Sequence, residues 1–142
     1  MPSSARFIVA VAFLIERDGR LLMIRRGPDR DHAPGEWECG SGRVEYGEEP
    51  EDAVRREACE ETGPDVDVVG PVDTFHYYRG PAREEAICIA FHCRARGGDV
   101  RLSNEHDAAE WVPLDRVVDV PVSQPLRDCI ARFVKTHRRR SG

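Results

Sequence analysis

Gly42-Arg43-Val44-Glu45-Tyr46-Gly47-Glu48-Glu49-Pro50-Glu51-Asp52-Ala53-Val54-Arg55-Arg56-Glu57-Ala58-Cys59-Glu60-Glu61-Thr62-Gly63 is the stretch that organises the chain. Its second half predicts a helix. Pro50 suits a first turn, where its missing N–H has no intrahelical partner to lose. Glu49 just before it, with Glu51 and Asp52 inside it, favours the positive end of the helix dipole. Gly63-Pro64 stops it. At about 100° per residue, Glu57 and Glu61 fall within ~40° of each other and Glu60 lies ~60° to the other side, so all three share one arc. Ala53 and Val54, the helix's own apolar positions, point into that arc, whereas Arg55, Arg56 and Cys59 point elsewhere. The acidic cluster therefore borders the core-facing stripe instead of lying opposite it.

Carboxylates roughly 6 Å apart repel by about 3 kcal/mol per pair at an effective dielectric near 20. Partial burial raises their pKa values as well. A hard divalent cation with oxygen ligands relieves both, and Mg²⁺ takes a few carboxylates while keeping positions open for substrate phosphates. The competing reading is a surface helix with solvated glutamates. Helix geometry alone leaves both open.

Outward from the helix the chain reads as strands. Phe7 to Glu16 is rich in Val, Ile and Phe, and Arg17-Asp18-Gly19-Arg20 is a turn leading to a second strand, Leu21 to Arg26. Gly27 to Glu36 is the longest loop. Short segments around Trp37 and at Arg43 to Glu45 flank a Gly40-Ser41-Gly42 bend. Beyond the helix, Val66 to Val69, Val72 to Tyr78 and Ala86 to Arg96 predict strands, and Trp111 to Leu114 begins a last short apolar segment. Ser123 can cap a terminal helix to about Thr136, with Leu126, Ile130, Phe133 and Val134 on one face. The 142 residues fit one domain, 1–142, with no internal repeat or linker.

With 26 acidic against 21 basic side chains the net charge is -5, which argues against a dedicated nucleic-acid binder. The basic tail, Lys135 to Arg140, suits a helix C-terminus. Five cysteines, at 39, 59, 88, 93 and 129, form neither a disulfide framework nor a zinc spacing, and most read as small buried hydrophobes in a reducing compartment. The apolar run at Phe7 to Ile15 is too short to span a bilayer, so the expected location is cytoplasmic with no membrane partner. His32, His76, His92, His106 and His137 share no spacing and read as bland.

Gly42, five residues, Glu48, seven residues, then Arg56-Glu57-Ala58-Cys59-Glu60-Glu61-Thr62-Gly63 resembles the Nudix box, G-x5-E-x7-R-E-U-x-E-E-x-G-U, where U is bulky and apolar. Every charged and glycine position matches. Ala58 is small for a U position and Pro64 replaces the last one, with consequences expected for the helix end and not for chemistry. Trp37-Glu38-Cys39-Gly40-Ser41-Gly42-Arg43-Val44-Glu45 is similar to the family's W-x-x-P-G-G-x-V-E approach, with Gly40 where Pro is common and Ser41 where Gly is common. Leu102-Ser103-Asn104-Glu105-His106 before Trp111-Val112 is similar to its late acidic loop. The resemblance runs from about Phe7 to Leu114.

It implies an α/β fold: an α/β/α sandwich with a central mixed sheet, a loop-helix-loop motif and a C-terminal helix. It also implies that Glu57, Glu60 and Glu61, with the Ser41 carbonyl, bind Mg²⁺ (or Mn²⁺), that Glu105 is a candidate general base, and that Arg56 points away from the cluster and pairs with Glu48. Arg25 and Arg26 are candidates for neutralising substrate phosphates, and Tyr78 for stacking on a base. The implied reaction is hydrolysis of a nucleoside diphosphate linked to another group, chiefly a (deoxy)nucleoside triphosphate to NMP and pyrophosphate. ADP-ribose and dinucleoside polyphosphates are alternative substrates. A non-hydrolysing nucleotide sensor and an RNA 5′-end pyrophosphohydrolase are rival functions, and a homodimer would be ordinary for the family.

Overall fold

The computed structural model describes residues 6–141, with side chains through Arg139, so the Arg140 side chain of the basic tail lies outside the described ones. Seven strands form one mixed sheet. In chain order the elements are β1 (Ile8–Arg17), β2 (Arg20–Arg26), β3 (Trp37–Glu38), β4 (Ser41–Arg43), α1 (Pro50–Thr62), β5 (Val66–Arg79), β6 (Glu84–Ala95), β7 (His106–Pro113), a 3₁₀ turn (Val117–Asp119) and α2 (Gln124–Ser141). This is the expected α/β architecture.

The β1–β2 hairpin turns at Asp18 and Gly19, both with positive φ, as an Asp-Gly turn should. The two strands pair through Glu16↔Leu21 and Arg17↔Arg20 and then part. The gap takes the next segment of chain. β3 lies along β2 (Ile24↔Glu38, Arg25↔Trp37), and β4 lies along β1 (Val11↔Gly42). On its other edge β1 runs parallel to β6, from Ile8↔Ala86 to Glu16↔Arg94, while β2 pairs antiparallel with β7. The wedge at 37–43 lies in the middle of the sheet, and the segment expected at Arg43 to Glu45 is instead strand at Ser41–Arg43, because Gly42 pairs with Val11.

Strand periodicity sends alternate β1 side chains to opposite faces. Ala10, Ala12 and Leu14 join Leu21, Met23, Cys129, Ile130, Phe133 and Val134 under α2. Val11, Phe13 and Ile15 join Leu22, Ile24, Phe91 and the helix residues Ala53, Val54 and Ala58 under α1. Each fully buried large aliphatic or aromatic side chain contributes about 1.5–3 kcal/mol. Ala58 is fully buried against the sheet, so a small residue suits that contact. Gly63, at φ 101°, ends α1, and a Cβ there would come within 2.8 Å of the Arg101 nitrogen. The loop that passes so close also binds the helix end, Arg101 N–H donating to the Thr62 carbonyl at 2.8 Å.

Three further expectations are corrected. β5 is one strand from Val66 to Arg79, with bulges around Gly70-Pro71 where two strands were expected. Proline is tolerated because β5 is an edge strand whose outer side needs no ladder donor. β7 begins at His106, five residues before Trp111, because pairing with β2 overrides the weak strand preference of Asp107, Ala108 and Ala109. α2 runs to Ser141, past Thr136. Cys39, Cys88, Cys93 and Cys129 are buried and Cys59 is exposed. Burial pushes the Cys88, Cys93 and Cys129 thiols up to about 12, which makes them inert. No helix among the described residues is long and apolar enough to cross a membrane.

Candidate active site

α1 carries its acidic arc to the β4 side of the sheet. Glu61 is buried, at 7% exposure. The Glu57 side chain is 18% exposed and Glu60's is 60% exposed, so the arc has two inner members and one at the rim. Gly42 makes the approach possible: a Cβ there would lie 2.3 Å from the Glu57 carboxyl carbon. Gly40 does the same for Phe13 and Glu61, since its Cβ would meet the Phe13 ring at 2.3 Å and Glu61 Oε2 at 3.1 Å. Positive φ in the bend falls on Gly40, at 108°, and leaves Ser41 in ordinary backbone, so a serine is accommodated. A prediction follows for Gly42→Ala. Displacing the Glu57 side chain by about 1 Å should lower kcat/KM on the order of a hundredfold. Melting temperature should move by only a few degrees. Unchanged turnover in the alanine variant would show that the contact has no bearing on the site.

Burial pushes the Glu61 carboxyl up to about 9, and the negative charges of Glu38, Glu57 and Glu105 add to the effect. The Ser41 N–H is the one group that favours its ionised form. Glu61 Oε2 is buried with no hydrogen-bond partner among the described residues. Burial also raises Glu57, against the opposing pull of Arg56. Four carboxylates thus bear on one small volume; Arg56 reaches Glu57, but among the described residues no arginine pairs with Glu61. As they stand, no three of them among the described residues are gathered tightly enough to cage an ion. An orphaned, buried carboxylate oxygen amid like charges suits a hard divalent cation.

Arg56 pairs with Glu48 as expected, Nε to Oε2 at 2.9 Å and Nη2 to Oε1 at 3.0 Å. That bond holds Glu48 down to about 2. Glu48 also accepts from the Glu45 N–H at 3.0 Å, so the pair fixes the loop between β4 and α1. The expectation that Arg56 points away from the cluster is corrected. Its Nη1 donates to Glu57 Oε1 at 2.8 Å and stands 3.7 Å from Glu60 Oε2. The guanidinium fork is wide enough to serve the loop and the cluster together.

Glu105 is 40% exposed, faces Arg30 at 3.9 Å and sits close enough to act on Glu57 and Glu61. The two strand-end arginines already have partners, Arg26 at the edge of the cluster through Glu38. Arg25 bonds Asp107 at 2.8 Å, and Arg26 donates to the His32 carbonyl at 2.7 Å while facing Glu38 at 3.7 Å. Tyr78 does not join the cluster. Gly42, Val11, Ile89 and Thr74 share one register row, and Tyr78 lies four residues further along β5, about 19 Å away by strand geometry. Arg83 covers its ring at 4.2 Å.

Glu38 escaped the sequence reading, although it sits inside the quoted Trp37 run. The pairing of three histidines escaped it too. His106 Nε2 meets Glu38 Oε1 at 2.8 Å, and Glu16 takes His92 and His137 at 2.8 and 3.1 Å on the α2 side. Those three imidazoles are not bland. Only contacts 68 to 121 residues apart reveal them.

The sequence profile of the NUDIX domain matches residues 5–133. The chain belongs to the NUDIX family. It is 38% identical to a MutT-like protein of Streptomyces ambofaciens, over 77% of this chain and 66% of that one. It is 32% identical to the nucleoside triphosphatase NudI of Escherichia coli O81 (strain ED1a), over 80% of this chain and 87% of that one. It also matches an octanoyltransferase of Myxococcus xanthus at 37% identity, but spans only 32% of that protein's length. Among solved structures, a MutT protein from Methanosarcina mazei Go1 superposes with a TM-score of 0.79 at 26% identity, covering 96% of this chain and 99% of that one. This NUDIX chain therefore shares its fold with a MutT protein.

Proposed function

We propose that the chain hydrolyses the phosphoanhydride of a nucleoside diphosphate derivative, chiefly a (deoxy)nucleoside triphosphate, to NMP and pyrophosphate. The buried, unpartnered Glu61 Oε2 among like charges carries this reading, because it calls for a cation that would also face a diphosphate. The 32% identity to a nucleoside triphosphatase supports the substrate class. Glu57, Glu61 and the rim residue Glu60, with the Ser41 carbonyl, would hold Mg²⁺ or Mn²⁺. When bound, such an ion supplies Lewis acidity and positive charge.

The chain's own residues do the rest. Arg56 orients Glu57 and, through Glu48, fixes the loop entering α1. Glu105, half-exposed and held by no short hydrogen bond through its carboxylate, takes a proton from water as the water oxygen bonds to phosphorus. The anhydride P–O bond between the α- and β-phosphorus atoms breaks, and its electron pair stays on the oxygen of the departing fragment, so that NMP and pyrophosphate result. Burial of Glu61 and Phe13 behind Gly40 keeps bulk water from the inner side.

The test is a nucleotide panel with Mg²⁺, resolving NMP, phosphate and pyrophosphate. NMP with pyrophosphate from a triphosphate is the expected product pair, and millimolar Mg²⁺ should raise the melting temperature by binding the folded cluster alone. Nucleotide binding with no turnover in either metal would replace the enzyme reading with that of a sensor.

A further inference from the structure

Glu38 and His106 come from strands 68 positions apart and meet beside the acidic cluster. The His106 side chain is wholly buried, whereas that of Glu38 is 23% exposed. A carboxylate only accepts, so the shared proton sits on His106 Nε2, and the buried Nδ1 has no partner. Leaving a buried polar atom unpaired is destabilising. An apolar residue would fill the same space without that cost. What the imidazole adds is a fixed donor to Glu38.

Its backbone matters as well. His106 pairs with Arg26 in the β2–β7 ladder, and the preceding carbonyl, that of Glu105, accepts the Gly27 N–H at 3.0 Å. One residue therefore places two carboxylates, Glu38 by hydrogen bond and Glu105 by chain connection. The second Glu38 oxygen has only the looser Arg26 contact, at 3.7 Å. Without His106, Glu38 is free to swing toward Arg26 and away from Glu61.

Resting on the cation-platform reading above, we infer that His106 is a positioning residue of the acidic site, its Nε2–H holding Glu38 as a fixed negative wall beside Glu61 while its backbone carries Glu105 to the same place. Partners that orient charged groups around a metal typically change affinity 10- to 100-fold when removed. Mn²⁺ binding to the full chain, followed by electron paramagnetic resonance or calorimetry without nucleotide, tests this. His106→Ala and Glu38→Gln should each weaken Mn²⁺ about tenfold. The double variant should bind no more weakly than Glu38→Gln alone. His106→Gln, which keeps a donor at similar reach, should recover most of the loss.

Equal weakening in His106→Ala and His106→Gln overturns the assignment, because it marks lost packing instead of a lost donor. So does additive loss in the double variant, or wild-type affinity in His106→Ala. If the wild-type chain binds no Mn²⁺ in a Glu61-dependent way, the platform reading and this one fall together. If it does and His106→Ala matches it, only the role of His106 falls.

Discussion

Glutamine in place of Glu57 or Glu61 is expected to cut turnover roughly a thousandfold or more, equivalent to about 4 kcal/mol of transition-state stabilisation. Both side chains are largely buried beside the Gly40-Ser41-Gly42 bend, where no water-exposed substitute can take over their charge. Glutamine keeps the shape and removes the charge, so the fold should persist and circular dichroism should not change. Glu60→Gln is the internal comparison. With its side chain 60% exposed, it should lose far less, on the order of tenfold. Steady-state kinetics with a nucleotide from the panel checks the ranking. Near-normal rates in both inner variants would remove the cation platform altogether.

The same Glu61→Gln change should make the metal-free protein more stable. The folded chain holds a proton on Glu61 up to about pH 9, whereas an unfolded carboxylate releases it near 4.5. Between those values the folded state binds more protons, so stability falls as pH rises through the window. The cost is small near pH 4.5 and largest above 9. At pH 8 in EDTA it is on the order of 2–4 kcal/mol, and its removal should raise the melting temperature by roughly 5–10 °C. At pH 5 the two proteins should melt almost together. Added Mg²⁺ should favour the wild type and shrink the difference at pH 8. A glutamine variant that melts lower than wild type at both pH values would show that the buried acid is not strained. The site thus trades stability for function, as a preorganised charge cluster must.

Much of this was legible from residues 42–63. Glycine, proline and acidic positions there obey local rules, so the helix and its ends could be read without a partner strand, while the Arg56–Glu48 pair followed from the resemblance to the box. Glu38 could not. It belongs to a two-residue strand, and its neighbours His106 and Glu61 are set by how the sheet closes. The distance of Tyr78 from the box is likewise set by register along β5, where regular pairing from Thr74 carries it four residues past the row of Gly42. The β5 interruption expected at Gly70-Pro71 reflects local preference, which an unpaired sheet edge overrides. Reach was the difficulty with Arg56. Helical angle gives the direction of a Cβ, but a long guanidinium can return to the face that its Cβ leaves.

The alternation along β1 leaves almost no freedom in the length of that strand. Inserting or deleting one residue between Ile8 and Arg17 would exchange its two sets of side chains, drawing Phe13 from behind Gly40 and carrying Glu16 away from the paired imidazoles of His92 and His137. Anyone grafting tags, hinges or new specificity into this scaffold should therefore cut elsewhere, in the exposed 80–83 turn, where added chain costs little more than closure entropy.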